Sequence, residues 1–308
     1  MINKAPPIAG LYCGIPSLNL PLLILMALKL FNRNPDQAEM SFVDHLEALR
    51  WHIVRSLVAV LVGAIVIFVK IDWVFDHIIL GPIQKDFITY TGLCNLSHFL
   101  HMGDALCMPP VNVSMQTTAF SSQFMSSITI AFVGGFIFAF PYVFWEFWRF
   151  VKPALTEKEV KSTRGAIAFV SFFFFTGAMF GFFLLAPFTF SFLANYTLGT
   201  QNFIKTIPTL SDYIENLTDI TLGTALAFQL PVVANVLTRI GLITPNFLKR
   251  YRKYAIVAIL VIAAVITPSP DWMSQMIVFI PLILLYELSI LVSKRVYTAD
   301  QKKWQEWE

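Results

Sequence analysis

Charged residues are scarce in this 308-residue chain, where Asp, Glu, Lys and Arg together make up only 13% of the residues. That share is about half of the roughly 25% that is usual for soluble domains. Apolar residues account for 56% of the chain, and the mean hydropathy is +0.67. A soluble protein of this length cannot bury so much apolar surface. The composition excludes a cytosolic globular enzyme, a disordered chain and a small disulfide-rich domain, and it predicts a multi-spanning membrane protein.

The sequence also lacks the common catalytic patterns, including G-x-S-x-G, H-E-x-x-H, a Gly-rich phosphate loop and a C-x-x-C pair. Its five His residues, at positions 45, 52, 77, 98 and 101, all lie outside the apolar runs described next. We therefore predict that the protein is not an enzyme and needs no cofactor. A membrane-embedded enzyme would need a nucleophile–base pair or a metal cluster at one depth.

Six apolar runs predict transmembrane helices, because lipid-exposed backbone must satisfy its own hydrogen bonds and the runs lack barrel-like alternation. The runs are Ile53–Val69, Phe124–Phe147, Gly165–Pro187, Leu217–Leu237, Tyr254–Ile266 and Ile277–Val292. The last two are short, since 13 to 16 residues extend only about 20–24 Å as helix. They are either a buried hairpin or two spans that locally thin the bilayer, and flanking Lys and Arg favour two spans.

Basic residues give the orientation. All but three of the 22 Lys and Arg residues lie on one side of the six predicted spans, and the exceptions are Lys70, Lys85 and Lys205. The positive-inside rule assigns both termini to the cytoplasm, so the basic residues need no nucleic acid to explain them. We predict an all-α membrane protein with six transmembrane helices, an N-terminal extension at 1–40, a membrane domain at 41–295 and a cytoplasmic tail at 296–308.

Two cysteines, Cys94 and Cys107, fall in the long first outer loop, Ile71–Gln123. An oxidising compartment permits a disulfide there, although two isolated cysteines pair less regularly than a full framework does. Zinc bound with His98 and His101 is a weaker alternative, because the spacing matches no common ligand pattern. We therefore predict a possible disulfide and no metal site.

Polar residues within spans are costly and are often functional. Gln229 lies mid-span beside Pro231, where it forms either an interhelical hydrogen bond at a kink or a contact with a partner. Glu287 lies near the cytoplasmic end of the last span. It either snorkels or pairs with Lys294 or Arg295, or it belongs to a functional intramembrane polar site.

Acidic residues on the predicted cytoplasmic side are a second candidate set. Asp44 and Glu47 lie on an amphipathic helix before the first span, and Glu157 and Glu159 lie in the loop between the second and third spans. An acidic surface on the basic side of a membrane would attract a cationic ligand. Solvated helix ends are the alternative explanation.

Several segments resemble one family. SFVDHLEALR at 41–50 is similar to the HLxELR signature of the TatC family, the multi-spanning subunits of the twin-arginine protein translocase. FPY at 140–142 with FVKPAL at 150–155 resembles the first cytoplasmic loop of the family, and FQLP at 228–231 resembles its FExP element. YAIVA at 254–258, TP at 267–268, SQ at 274–275 and LYEL at 285–288 resemble its last two spans. The resemblance covers about residues 41–295, in order.

The resemblance implies a receptor in the bacterial inner membrane that binds twin-arginine signal peptides of folded cargo. Transport would be driven by the protonmotive force, in a hetero-oligomer with small single-span subunits of the TatA/TatB type, surrounded by lipid. Glu159 matches the loop glutamate of the family, and we add Glu47 and Asp44 to the peptide-binding set. Two positions depart from the pattern, because Ala48 and Gln229 stand where the family usually has acids.

A secondary transporter of a small solute is the alternative function. It would show repeat-related broken helices and ionisable groups at the bilayer midplane. Neither feature is visible in the sequence.

Overall fold

The computed structural model describes residues 42–101, 103–104, 107, 114–154, 165–196, 207–239, 243–267 and 272–305. The chain divides into two units, Met1–His45 and Leu46–Glu308, and the contacts described below lie within the second. The helices are α1 (Phe42–Val69), α2 (Ile71–Val74), α3 (Ile88–Phe99), α4 (Ser122–Val151), α5 (Ala166–Phe180), α6 (Ala186–Asn195), α7 (Leu210–Ala227), α8 (Leu230–Arg239), α9 (Pro245–Arg250), α10 (Arg252–Ile266) and α11 (Trp272–Gln305).

Extended pairing among the described residues is limited to one isolated parallel bridge between Gln116 and Thr209. The predicted all-α class is confirmed. The predicted N-terminal extension at 1–40 lies outside the described residues. The predicted tail at 296–308 is helical as far as Gln305, because α11 continues through it.

Within the part of the chain that the structure describes, five helical stretches are long and apolar enough to cross a membrane: His45–Val69, Ser122–Val151, Ile167–Asn195, Leu210–Thr238 and Gln275–Arg295. The predicted span at Tyr254–Ile266 lies in α10, whose 15 residues extend only about 22 Å. A sixth span and the orientation of the termini therefore stay predictions.

The last span is longer than predicted. It covers 21 residues, Gln275–Arg295, within a 34-residue helix. Ser293 and Lys294 end the apolar run at Val292 in the sequence, so the run is shorter than the helix that contains it.

Two of the spanning stretches are broken near a proline. A π-helical turn, Gly181–Leu185, joins α5 to α6 just before Pro187, and a turn at Phe228 and Gln229 separates α7 from α8 just before Pro231. Proline has no N–H to donate and its ring crowds the preceding turn, so helices bend or break there. At the second break the Gln229 N–H donates to the Leu226 carbonyl at 3.0 Å. The break places Gln229 between two helices.

Among the described residues, apolar side chains form two packed clusters. The larger one brings together residues of α1, α4, α6, α7, α10 and α11, with Ala186 and Leu282 among its fully buried members. The smaller one is centred on Phe140 of α4 and Phe174 of α5, whose rings stack with centroids 3.5 Å apart. These clusters hold the spans together, with α1 contributing only two buried residues.

Helix α1 is packed much more sparsely. Among its residues from 45 to 69, only Ala64 and Ile67 are buried. It crosses α4 where two glycines meet, and a Cβ placed on Gly135 would lie 2.5 Å from the Ala64 backbone nitrogen. Small residues of this kind let helix backbones approach closely in membranes, where association depends on packing and hydrogen bonds.

We predict that Gly135→Ala destabilises the protein, because the added methyl group must push α1 away from α4. Overpacking of this kind costs about 1–3 kcal/mol, and the melting temperature in detergent is expected to fall by about 5 °C. The matched control is Gly92→Ala in α3, where an added Cβ meets no atom within 4 Å. There the melting temperature is expected to stay unchanged or to rise slightly. Equal effects at the two positions would contradict the close crossing.

Candidate functional site

Three residues are predicted to bind the peptide, and the structure describes the side chain of one of them, Glu47. This side chain is exposed on α1. Asp44 lies in the first turn of the same helix, with its side chain outside the described set. Glu159 lies in the segment 155–164, also outside it. That segment follows α4 and a 3-10 turn, Lys152–Ala154. That these three residues form one site therefore stays a prediction.

A buried carboxylate joins the two helices that carry these segments. Glu146, near the end of α4, is 0% exposed. Its Oε2 lies 2.5 Å from His52 Nδ1 on α1, and the Tyr142 hydroxyl donates to its Oε1 at 3.1 Å. Arg149 Nη1 lies 3.6 Å from Oε1, and Arg55 Nη1 lies 4.0 Å from Oε2. We call this group of five residues the Glu146 cluster.

Aromatic rings enclose the Glu146 cluster. The His52 ring meets the edge of Phe150 with centroids 6.2 Å apart, and the Arg149 guanidinium lies 5.0 Å from the centroid of Trp145. A buried carboxylate is tolerated only when charge and hydrogen bonds compensate for its lost hydration. Two arginines around one glutamate leave the cluster with net positive charge. Its contacts across the interface tie α1 to α4.

Motif analysis of the sequence did not identify Glu146. One signal was present, since Glu146 is an acid inside the run Phe124–Phe147 and lies four residues after Tyr142 and three before Arg149. Residues at these spacings share one face of a helix. His52 is 94 positions away, so only the fold could reveal it as the partner across the interface.

Gln229 occupies the break between α7 and α8. Its Nε2 lies 3.4 Å from the carbonyl oxygens of Val170 and Ala225, at the long limit of hydrogen bonding. Its Oε1 is buried and has no hydrogen-bond partner among the described residues. The interhelical contact with α5 agrees with one of the two sequence interpretations. The free oxygen leaves the side chain able to accept one more hydrogen bond.

Glu287 pairs with Arg252, whose Nη2 donates to Oε2 at 2.8 Å. The expected partners were Lys294 and Arg295, the nearest basic residues that follow on the same helix. The actual partner comes from the start of α10, because the antiparallel packing of α10 and α11 brings it alongside. Next to this pair the Tyr286 hydroxyl donates to the Leu248 carbonyl at 2.7 Å. Together these contacts tie α11 to α9 and α10.

Cys94 and Cys107 are joined by a disulfide in the structure, with their Cα atoms 4.4 Å apart. Cys94 lies in α3, and Cys107 lies in the segment that follows it. His98 and Asp104 lie against the two sulfurs, whereas His101 is outside this group.

Outside the spans, Tyr90 of α3 is buried and donates its hydroxyl to the Pro82 carbonyl at 2.8 Å. Burial raises the pKa of Tyr90 to about 12, because the phenolate would lose its hydration. The residue therefore stays a neutral donor and has a structural role in the segment between the first two spans.

Known proteins resemble the chain along most of its length. The family model described as Sec-independent protein translocase protein (TatC) matches residues 44–281. The TatC protein of Blattabacterium sp. subsp. Periplaneta americana is 39% identical over 268 residues, which cover 87% of this chain and 99% of that protein. The TatC protein of Halalkalibacterium halodurans is 35% identical over 267 residues, covering 87% of this chain and 94% of that protein.

The fold is similar as well. A crystal structure described as the twin arginine translocase receptor TatC matches with a TM-score of 0.63 and 31% identity, over 82% of this chain and 99% of that one. The matched family is a protein translocase family rather than an enzyme family. The resemblance first indicated by the motifs is confirmed: the chain belongs to the TatC family and is a multi-pass inner-membrane subunit of the Sec-independent protein translocase.

Proposed function

We propose that the chain is the receptor subunit of its translocase and binds twin-arginine signal peptides at the cytoplasmic face through Glu159, Glu47 and Asp44. The observation that carries the proposal is the position of the exposed Glu47 on α1. The Glu146 cluster joins this helix to the end of α4, and the loop with Glu159 starts a few residues later. The description of the similar crystal structure as a twin arginine translocase receptor supports the same role.

The lengths of chain involved allow Glu47 and Glu159 to engage one peptide. Glu47 precedes His52 by five residues, which is about 7.5 Å along a helix. Glu159 follows Ala154 by five residues, which reach at most about 18 Å when extended. Ala154 in turn follows Glu146 by eight residues, about 12 Å of helix, so Glu159 lies at most about 30 Å from the Glu146 cluster.

Arginine chemistry suits exposed carboxylates. The guanidinium is planar and always charged, and it can donate two parallel hydrogen bonds to one carboxylate. The Glu146 cluster already contains Arg55 and Arg149, so its net positive charge disfavours a further guanidinium there. A peptide with two arginines is thus directed to the exposed acids, and Glu146 acts as a positioning residue.

The departure from the family pattern at position 48 fits this proposal. Ala48 stands where the family usually has glutamate, and it is only partly exposed here. Its neighbour Glu47 is exposed and points about 100° away around the helix. We infer that Glu47, together with Asp44, supplies the acidic charge of α1 in this chain.

We further propose that Gln229 contributes to the site where the transmembrane helix of a small TatA/TatB-type subunit docks. Its buried Oε1 can accept a hydrogen bond, and Leu226 and Val233 nearby are 54% and 50% exposed. Because Gln229 is neutral, this contact rests on hydrogen bonding and packing, not on charge. Glu287, already paired with Arg252, completes the intramembrane polar set.

With these partners the receptor would support transport of folded cargo driven by the protonmotive force. The small-solute transporter is not favoured, because the matched family is a protein translocase.

We predict that Glu159→Gln weakens binding of a twin-arginine signal peptide by about tenfold, because a charge-assisted pair with arginine is lost. The measurement is photo-cross-linking of a labelled peptide to the protein in detergent or inverted membranes. A twin-lysine peptide defines the arginine-independent background.

The matched control is Glu157→Gln, which removes an equal charge two residues away in the same loop. It is expected to retain most of the labelling. Unchanged arginine-dependent labelling in Glu159→Gln, or equal losses in the two variants, would overturn the assignment of Glu159.

We predict that Glu146→Ala reduces both stability and peptide labelling, although Glu146 itself contacts no peptide. Removing one partner of a buried ionic group costs about 3 kcal/mol or more. Labelling is measured below the melting temperature, on the monodisperse fraction, so that it reports on folded protein. Glu215→Ala, an exposed acid in α7, is the control and is expected to change neither quantity. Labelling at the wild-type level in folded Glu146→Ala would show that the cluster does not position the site.

A further inference from the structure

The outer loop contains a compact group of four side chains with ligand atoms suited to a metal ion. Cys94 and His98 are one turn apart on α3, and Asp104 and Cys107 come from the segment after it. One ligand atom from each residue lies within 4.8 Å of all the others. Two sulfurs, one imidazole nitrogen and one carboxylate oxygen form a donor set that zinc accepts.

The distances around His98 are close to those between the ligands of a tetrahedral ion. His98 Nε2 lies 3.7 Å from Cys94 Sγ, 4.0 Å from Cys107 Sγ and 3.5 Å from Asp104 Oδ1. Cys107 Sγ lies 3.8 Å from Asp104 Oδ1. Zinc–ligand bonds of about 2.0–2.3 Å place tetrahedral ligands roughly 3.3–3.8 Å apart. The 4.0 Å distance is slightly longer than this range, and the two sulfurs are closer because the disulfide joins them.

We propose that this group is a redox-dependent metal site, in which the reduced cysteines bind a zinc-type divalent ion together with His98 and Asp104. A dithiol reductant supplies two electrons and two protons. The bond between the sulfurs breaks, both cysteines become thiols, and the reductant becomes a disulfide. Binding of the ion then forms two metal–thiolate bonds and releases the two thiol protons to water.

The local structure allows this change. The sulfurs must separate to about 3.8 Å, the tetrahedral spacing for bonds of zinc–thiolate length. Cys107 lies outside any helix, so it can adjust without breaking a helical hydrogen-bond ladder. The side chains of His98 and Asp104 are 59% and 85% exposed, so water, reductant and ion can all reach the group. The same loop is then closed by a covalent bond when oxidised and by a metal when reduced.

This inference departs from the sequence prediction of no metal, and it replaces His101 by Asp104 in the zinc alternative. The zinc alternative took its second histidine only because His101 lies close to His98 in the sequence. In the structure His101 has a left-handed backbone with φ of 56° and lies outside the ligand group. Asp104 takes that place.

Cobalt binding to the full chain in detergent tests the site, with Cys13→Ser as the background to remove the third cysteine. A phosphine reductant keeps the thiols reduced without itself acting as a thiol ligand. We expect one Co²⁺ per reduced chain, with the visible bands of tetrahedral thiolate coordination, and displacement of the cobalt by Zn²⁺. The oxidised chain is expected to bind at least tenfold more weakly.

His98→Ala and Asp104→Ala are expected to weaken cobalt binding by about tenfold or more, since losing even an outer-shell partner can cost 10–100-fold. His101→Ala is the matched control and is expected to stay within twofold of the background protein. All variants are compared as monodisperse fractions. Equal binding by oxidised and reduced protein, an octahedral spectrum, or equal losses for His98→Ala and His101→Ala would each overturn the proposal.

Discussion

In a membrane, an apolar helix contacts lipid tails as favourably as it contacts another apolar helix. A spanning helix is therefore held in place where backbones approach closely or polar groups pair. Helix α1 depends on both kinds of contact with α4. Near the middle, Gly63 and Gly135 let the two backbones touch. Eleven residues earlier, His52 Nδ1 meets the buried Glu146 at 2.5 Å. Two contacts about 16 Å apart along the axis define both the position and the tilt of α1, and so the place from which Glu47 projects.

The Glu146 cluster illustrates why a buried ionic group can matter more for geometry than for stability. Well-packed apolar residues can often replace such a group without loss of stability, whereas an ionic group accepts only a few arrangements of its partners. Glu146 accepts contacts from His52 and Arg55 on one helix and from Tyr142 and Arg149 on the other. The helical register of α1 against α4 is thereby restricted. The buried cluster carries a surplus of positive charge, whereas Glu47 on the surface is an exposed acid. Anchoring of α1 and the proposed binding of the peptide are therefore tasks of different residues.

Hydropathy and motif order were enough to predict the helical class, the first four spans and the TatC family, because these depend on local composition and spacing. Pro231 correctly pointed to a break beside Gln229. Contacts between distant segments could not be predicted in the same way. The pairing of Glu287 with Arg252, of Glu146 with His52, and the proximity of Asp104 to His98 each need the fold to bring the residues together. The length of α11 was underestimated, since polar residues near its end hide the continuation of the helix.

The sparse packing of α1 also has a consequence for how freely its sequence can change. Only Ala64 and Ile67 between residues 45 and 69 are buried, so most of the helix meets its surroundings through side chains for which hydropathy matters more than shape. At such positions one aliphatic residue can replace another with little effect on the fold. Identity is restricted mainly at the contacts with α4, which are His52, Arg55, Gly63, Ala64 and Ile67. Helix α1 is thus specified by its composition along most of its length and by particular residues at a few contacts with the rest of the protein.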